Sequence, residues 1–270
     1  MNRIDERFDE LRRHGKKALI PFITAGDPDV KYTMDAVRAL ESAGADIIEL
    51  GIPYSDPLAD GPVIQASSQR SLKGGMNLDI AFDMVQNLRV NTSIPLVFLI
   101  YYNCIYQYGL EKFIEQCGKT GVDGAIVPDL PYEERQALKP LLDDAPVYFI
   151  SMVAPTSAQR IKEIASSAKG FLYCVSSLGV TGERQAFDSN IDAFMEKVNL
   201  YSVVPTALGF GISEPQHMRR LGYLADGLIV GSALVRRIEQ KASDRDIYEF
   251  MRGLRMALDE CMEQTMENNS

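Results

Sequence analysis

Histidine and paired cysteines are scarce in this sequence of 270 residues. The two histidines, His14 and His217, lie in polar segments of helical pattern. They form no histidine cluster for a transition metal and no Ser/His/Asp arrangement, so we expect both at the surface and no metal site. The four cysteines show no paired spacing, which predicts free thiols in a reducing compartment. They are Cys104, Cys117, Cys174 and Cys261.

Positive charge and long apolar runs are lacking as well. With 37 acidic against 28 basic residues, the formal net charge is -9, which argues against nucleic acid or anionic lipid as a partner. The longest apolar stretch, residues 94–102, is far shorter than the roughly 20 residues that span a bilayer. The charged N-terminus lacks the apolar core of a secretory signal. We therefore expect a cytoplasmic protein that does not enter membranes.

A dividing linker is also missing. No stretch rich in Gly and Ser or in Pro interrupts the chain, so residues 1–270 are expected to form a single domain. The glycine fingerprint of dinucleotide-binding folds is absent, which disfavours a doubly wound open sheet.

Short apolar runs of β pattern alternate with amphipathic segments along the whole chain. This alternation is typical of repeated βα units, and eight units in about 250 residues is the count of a TIM barrel. We predict the α/β class, with a single (β/α)8 TIM barrel and an extra N-terminal helix, residues 4–14, that closes the barrel floor. The predicted strands cover residues 18–24, 46–52, 95–101, 123–129, 146–151, 170–176, 203–209 and 226–231.

Helical patterns separate these strands, and a weak repeat supports the barrel. Asp46, Asp123 and Asp226 each follow the end of a predicted helix and open a predicted strand. The predicted helices include residues 33–43, 78–89, 110–118, 133–143, 158–167, 191–198 and 244–266.

Apart from Asp residues at strand ends and small hydroxyl residues, Glu49 is the residue that breaks the apolar pattern of the predicted strands. Strands of a parallel barrel are covered on both faces, yet Glu49 lies near the C-terminal end of the second strand, which is the catalytic rim in this fold. The predicted strands contain no Lys or Arg, so desolvation should raise the pKa of an inward Glu49. A carboxyl of this kind exchanges protons at neutral pH, which favours a catalytic role over a structural ion pair.

The loop after the second strand carries two more acids at the same rim, Asp56 and Asp60. Three prolines in residues 53–62 restrict its backbone, so the loop can hold a carboxylate still. Either acid could be the partner of Glu49 or could cap a turn, and physical reasoning alone does not choose between them.

Glycine-rich turns follow the last three strands. TIM barrels that use phosphorylated substrates commonly bind the phosphate after strands seven and eight, through backbone N–H groups and a helix N-terminus. Residues 179–182, 209–213 and 231–232 lie at such positions and together predict a phosphate site. Apolar side chains at the strand ends would line a cavity for a flat substrate with a phosphorylated tail. These are Phe22, Ile100, Tyr101, Tyr173 and Phe210.

Five segments in order resemble a known family, the tryptophan synthase alpha chain. They are residues 21–28 (PFITAGDP), 49–62 (ELGIPYSDPLADGP), 128–131 (PDLP), 179–182 (GVTG) and 209–212 (GFGI), and the resemblance extends from Phe8 to the last helix. It implies a lyase of tryptophan biosynthesis that cleaves indole-3-glycerol phosphate to indole and glyceraldehyde 3-phosphate. It also implies that Glu49 and Asp60, rather than Asp56, are the acid/base pair.

The resemblance further implies the rest of the site and the partner. The family's beta subunit would bind the pyridoxal phosphate, with no cofactor in this chain, and an alpha2-beta2 complex would dock through residues 53–57, 103–106 and 129–134. Residues 179–190 would form a lid. The implied substrate-binding residues are Phe22, Ile100, Tyr101, Tyr173, Thr181, Gly182, Phe210, Gly211, Gly231 and Ser232.

Two departures and two alternatives complete the sequence analysis. Cys104 stands where many relatives have proline, and Ser177 and Leu178 precede the lid where some have a basic residue; the departures concern docking and lid closure. One alternative is another phosphosugar epimerase or aldolase, but the required His/Asp metal ligands or strand Lys are missing. The other is a catalytically idle activator subunit, against which the retention of Glu49 and Asp60 argues.

Overall fold

A closed barrel of eight parallel strands organises the chain. The computed structural model describes residues 2–157, 160–175, 191–209 and 211–268. Each strand pairs with the next in chain order, and the last pairs with the first, which confirms the predicted TIM barrel. The strands are β1 (Ala18–Thr24), β2 (Ile48–Gly51), β3 (Leu96–Leu99), β4 (Gly124–Ile126), β5 (Tyr148–Val153), β6 (Leu172–Val175), β7 (Thr206–Gly209) and β8 (Gly227–Val230).

Helices cover the outside of the barrel, and an extra one precedes β1. Among the residues that the structure describes, no helix is long and apolar enough to cross a membrane. The helices are α1 (Arg3–Arg13), α2 (Val30–Ser42), α3 (Pro62–Lys73), α4 (Leu78–Leu88), α5 (Tyr102–Tyr108), α6 (Leu110–Thr120), α7 (Tyr132–Asp143), α8 (Ile161–Ser166), α9 (Ile191–Tyr201), α10 (Pro215–Leu221), α11 (Ser232–Glu239) and α12 (Asp244–Asn268).

Alternation along the strands divides the core into two clusters. Successive side chains of a strand point to opposite faces, so one set fills the barrel and the other packs under the helices. Ile20, Val97 and Ile126 belong to the inner cluster, inside the barrel. Leu19 and Phe98 belong to the outer cluster, between strands and helices. Both faces of the strands are therefore apolar, as a parallel sheet requires.

Helix α1 closes the N-terminal end of the barrel, as predicted. Its apolar residues Ile4, Phe8 and Leu11 are buried in the inner cluster. Asn2 caps the helix by accepting a hydrogen bond from the Ile4 N–H at 2.9 Å. The Tyr148 hydroxyl of β5 donates to the Asp5 carboxylate at 2.7 Å. The helix thus closes the floor and leaves the opposite end for substrate.

The three aspartates of the repeated joint do one structural job. Each accepts a hydrogen bond from a backbone N–H at the start of the preceding strand. Asp46 accepts from the Leu19 N–H at 2.7 Å, Asp123 from Leu96 at 2.8 Å and Asp226 from Thr206 at 2.9 Å. The recurring Asp therefore provides a hydrogen-bond acceptor for backbone N–H groups at the floor of the barrel.

One histidine prediction is wrong. His14 is exposed, but His217 on α10 is only 7% exposed. Its Nδ1 accepts a hydrogen bond from the Ser213 N–H at 3.2 Å, across the turn that starts α10. A polar local sequence did not reveal this burial, because the turn folds back over the imidazole.

Candidate active site

Glu49 points into the barrel, because alternation on β2 leaves it no other face. Its neighbours Ile48 and Leu50 are in the outer cluster, while Ile47 is in the inner one. In the sheet, Glu49 lies level with Phe22 of β1 and Val97 of β3. The carboxyl therefore faces the interior near the end of β2, as the sequence predicted.

The Glu49 carboxyl is fully buried. The residue is 0% exposed, and neither carboxyl oxygen has a hydrogen-bond partner among the residues that the structure describes. Burial, and after it the nearby charge of Asp60, raises the pKa of Glu49 to about 8. At neutral pH this side chain is a protonated acid with a proton to give.

Asp60 lies where the loop after β2 turns into α3. Its N–H donates to the Pro57 carbonyl at 3.1 Å, and its own carbonyl accepts from the Gln65 side-chain amide at 2.8 Å. Pro62 then begins α3, a favoured position for proline. Asp60 is 8% exposed, whereas Asp56 is exposed to solvent. Of the two acids that the sequence left open, only Asp60 is buried toward the barrel.

Asp60 remains more acidic than Glu49. Burial raises the pKa of Asp60 to about 6, and the Tyr101 hydroxyl, which donates to its carboxylate, limits the rise. Burial and the Asp60 charge in turn raise the pKa of Tyr101, so its hydroxyl remains a donor. At neutral pH, therefore, Asp60 is mostly a carboxylate while Glu49 is mostly an acid.

Phe22 covers the end of β2 because Gly51 leaves room for its ring. A Cβ on Gly51 would lie 2.5 Å from the Phe22 ring, closer than any real contact. Phe22 is 6% exposed and packs with Ile64 of α3 and Val235 of α11. Gly51, two residues after Glu49, thus leaves room for an aromatic ring level with the acid.

Tyr173 of β6 lies close enough to both acids for their charges to affect it. Burial, followed by the charges of Glu49 and Asp60, raises the pKa of Tyr173 well above its usual value. A Cβ on Gly209 of β7 would lie 3.1 Å from the Tyr173 hydroxyl oxygen. The small residue on β7 therefore makes space for this hydroxyl.

The expected place of Ile100 is corrected by the structure. Its side chain is 0% exposed and lies in the outer cluster, away from the barrel interior. The preceding residue, Leu99, packs against the inner cluster and beside Phe22. Met152 and Val175 pack there as well, at the C-terminal ends of β5 and β6. A one-residue difference in alternation decides which neighbour lines the interior.

The predicted phosphate residues lie at the ends of β7 and β8. Gly231 follows β8 and is the N-cap of α11, whose first residue, Ser232, is 8% exposed. Gly211 has φ +60°, a conformation that favours glycine. The expected residues Thr181, Gly182 and Phe210, and the lid 179–190, lie outside the described residues.

Comparison with known proteins identifies the family. The family model described as tryptophan synthase alpha chain matches residues 8–264. The chain belongs to the tryptophan synthase alpha chain family. A tryptophan synthase alpha chain from Caldanaerobacter subterraneus subsp. tengcongensis is 53% identical over 262 residues, which cover 96% of this chain and 100% of the relative.

Solved structures of the family have the same fold. Tryptophan synthase subunit alpha from Legionella pneumophila is 35% identical with a TM-score of 0.88, and the match covers 96% of this chain and 99% of that one. A chain of Mycobacterium tuberculosis tryptophan synthase is 30% identical with a TM-score of 0.88, covering 95% and 98%.

Membership in the tryptophan synthase alpha chain family confirms the function that the resemblance implied. The chain is an enzyme of tryptophan biosynthesis, a lyase of the type that cleaves indole-3-glycerol phosphate. The alternatives, another phosphosugar enzyme or an idle activator, are not favoured.

Proposed function

We propose that Glu49 is the general acid and Asp60 the electrostatic partner and base in the cleavage of indole-3-glycerol phosphate. One observation carries the assignment: two buried carboxyls lie close together at the barrel mouth, and their environments separate their pKa values to about 8 and about 6. Pairs of acids whose surroundings separate their pKa values in this way commonly divide the acid and base roles between them.

Each step of the cleavage needs a proton that one of these carboxyls can give or take. Glu49 donates its proton to the indole ring carbon that bears the glycerol phosphate, and the positive charge that develops is stabilised by Asp60, which accepts the ring N–H proton. The bond from that carbon to the side chain then breaks, and its electron pair returns to the ring. The side-chain hydroxyl loses its proton as the aldehyde forms.

The proton balance returns both acids to their starting states. After donation Glu49 is a carboxylate, and it accepts the proton that the side-chain hydroxyl releases. Asp60 returns its proton to the indole nitrogen. Because the pKa of Glu49 is raised to about 8, both donation and acceptance are accessible near neutral pH. We propose that the reaction uses no cofactor bound by this chain.

The substrate is bound, in this proposal, by an apolar pocket and a phosphate cradle. Phe22, Tyr101 and Tyr173 would contact the indole rings, together with Leu99 in the place expected for Ile100. The phosphate would accept hydrogen bonds from Ser232 and from backbone N–H groups after β7 and β8. The first N–H groups of α11, which follows β8, have no partners within the helix and are available as donors. From the resemblance, Thr181, Gly182, Phe210, Gly211 and Gly231 complete the set.

A beta subunit that binds pyridoxal phosphate is the proposed partner, in an alpha2-beta2 complex. The docking surface would comprise residues 53–57, 103–106 and 129–134. Two large exposed side chains support this choice, one within these residues and one next to them. Leu58 is 82% exposed and Tyr106 is 73% exposed. We also propose that residues 1–270 act as a single domain in the cytoplasm.

Three variants of the full chain test the acid/base assignment. Glu49→Gln and Asp60→Asn should each fold and lose roughly a hundredfold or more of indole release from indole-3-glycerol phosphate, the usual scale for a general acid or base. Asp56→Asn is the matched control, because Asp56 is an exposed acid of the same loop. It should keep the wild-type rate in the isolated chain. A wild-type rate for Glu49→Gln would remove Glu49 from the mechanism.

A further inference from the structure

The segment that carries Asp60 has little packing of its own. Between Pro53 and Asp60, which are buried, Ser55, Asp56, Leu58 and Ala59 are exposed. Within the segment, the Leu58 N–H donates to the Asp56 carbonyl at 3.0 Å and the Asp60 N–H to the Pro57 carbonyl at 3.1 Å, and the Gln65 amide of α3 donates to the Asp60 carbonyl at 2.8 Å. We call residues 53–60 the acid loop. Contacts from neighbouring strands must therefore contribute to fixing the Asp60 carboxylate.

Tyr101 makes two of these contacts with one hydroxyl. The hydroxyl donates to the Asp60 carboxylate and accepts from the Ala59 N–H at 3.0 Å. Tyr101 follows β3, is 3% exposed and is the N-cap of α5. The position of its ring therefore determines whether the hydroxyl reaches both residues of the acid loop.

Tyr54 packs on the face of the Tyr101 ring. The two rings are stacked, with centroids 5.1 Å apart and planes inclined by 26°. The Tyr54 hydroxyl accepts a hydrogen bond from the Asn103 side-chain amide at 3.2 Å. Tyr54 is half-buried, and these contacts join the acid loop to the start of α5. An aromatic pair of this geometry is stabilising beyond the area it buries.

We propose that Tyr54 is a positioning residue for Asp60: its ring holds the Tyr101 ring at the angle that keeps the Tyr101 hydroxyl on the Asp60 carboxylate. The inference rests on the proposed role of Asp60. Tyr54 acts through Tyr101, and the stacked ring carries the effect. The effect does not require the Tyr54 hydroxyl or its hydrogen bond to Asn103.

Loss of the Tyr54 ring should weaken the hydrogen bond from Tyr101 that favours ionised Asp60. Among the residues that the structure describes, the titratable groups that interact with the Asp60 carboxyl are Glu49 from β2, Tyr101 from the start of α5 and Tyr173 from β6. Of these, Tyr101 is the donor that lowers the pKa of Asp60. With the donor displaced, Asp60 would take up a proton at higher pH, and its ability to stabilise positive charge would fall.

Tyr54→Ala, Tyr54→Phe and a distant control test the proposal in the full chain. In Tyr54→Ala, kcat should fall roughly tenfold with a smaller change in KM, because the effect lies in placing a catalytic group. The acid limb of its pH–rate profile should move up by about one pH unit. Tyr54→Phe keeps the stack and should match the wild type in both readouts. Tyr248→Ala on α12 removes another partly exposed tyrosine and should change neither.

A direct titration of Asp60 by carboxyl NMR provides a readout apart from activity. Its pKa should rise in Tyr54→Ala and stay at the wild-type value in Tyr54→Phe. A wild-type pH profile in folded Tyr54→Ala would overturn the proposal, and so would a defect in Tyr54→Phe equal to that of Tyr54→Ala. If Asp60→Asn were fully active, the proposed function would fail; if Asp60→Asn is inactive and Tyr54→Ala is normal, only the present inference fails.

Discussion

Two buried acids, one just before β2 and one within it, have opposite surroundings. Asp46 lies just before the strand at the barrel floor and is 2% exposed; Glu49 lies three positions later, toward the mouth, and is 0% exposed. At the floor, Asp46 is surrounded by hydrogen-bond donors. At the mouth, Glu49 has no hydrogen-bond partner in the part of the chain that the structure describes. Equal burial therefore does not imply an equal role.

At the barrel floor, both carboxylate oxygens of Asp46 accept hydrogen bonds. Asp46 accepts hydrogen bonds from the Arg7 side chain, from Arg255 at 3.1 Å and from the Leu19 N–H at 2.7 Å. Burial raises the pKa of Asp46, and these three partners oppose the rise. They tie α1 and α12 to the barrel, so the carboxylate serves as a structural connector.

The mouth leaves its acid unsatisfied, at a cost to stability. An unpaired carboxyl in an apolar interior stays protonated and destabilises the fold as pH rises. The same isolation makes Glu49 a proton donor near neutral pH. The comparison indicates that a buried acid has a catalytic role when its oxygens lack hydrogen-bond donors, and a structural role when arginine side chains surround it.

The largest effect on stability is expected at the floor. Arg255→Met removes a 5% exposed guanidinium that contacts Asp46, the Lys17 carbonyl and Asp259. Breaking a buried ion pair from one side should lower the free energy of unfolding by about 3–5 kcal/mol. Urea titrations measure this loss, while kcat of the folded variant should stay unchanged. A stability within error of the wild type would show that the floor does not depend on its ion pairs.

A smaller effect of opposite sign is expected at the mouth. The pKa of Glu49 is about 8 in the folded chain and 4.5 for an ordinary glutamate, so its contribution to stability is present below pH 4.5 and is lost as pH rises toward 8. Glu49→Gln does not show this loss of stability, because the glutamine side chain does not ionise. It should become more stable than the wild type by at most a few kcal/mol at pH 8, with little difference at pH 4. Parallel stability curves from pH 4 to 8 would contradict the raised pKa.

The smallest effect is expected for the exposed pair at the floor. Lys17 lies 3.6 Å from Asp226, whose side chain is 51% exposed. Lys17→Ala should change the free energy of unfolding by about 1 kcal/mol or less, because solvent screens such pairs. The backbone carbonyl that accepts from Arg255 remains in this variant. A loss as large as that of Arg255→Met would mean that charge at the floor matters independently of burial.

Local patterns in the sequence were sufficient for much of the fold, and the failures have local reasons. The eight strands, the plugging helix α1 and the Asp joints could be predicted from periodicity and position. Helix α3 was not among the predicted helices, because part of its buried face is made of Ser67, Ser68 and Ser71. Their hydroxyls suppress the apolar pattern; the Ser71 hydroxyl, for example, donates to the Ala25 carbonyl at 2.5 Å.

In the functional site, too, some residues could be predicted from the sequence and others could not. Glu49 could be predicted because a charged residue in an apolar strand is visible in the sequence. Leu99 was missed in favour of Ile100, because a continuous apolar run has no polar residue to show which side chains face inward. The hydrogen bond from Tyr101 to Asp60 had no signal at all, since the two residues meet only when β2 and β3 pair.

The sequence by itself determined the number of βα units, the acidic residue on the second strand and the absence of any basic residue on the predicted strands, because composition and periodicity are local properties. Only the tertiary structure decided that Glu49 faces inward, that Asp60 rather than Asp56 is buried beside it, and that Tyr54 and Tyr101 pack against the acid loop. Barrel closure sets these relations, because it brings together residues that are distant in the chain and excludes water from some of them.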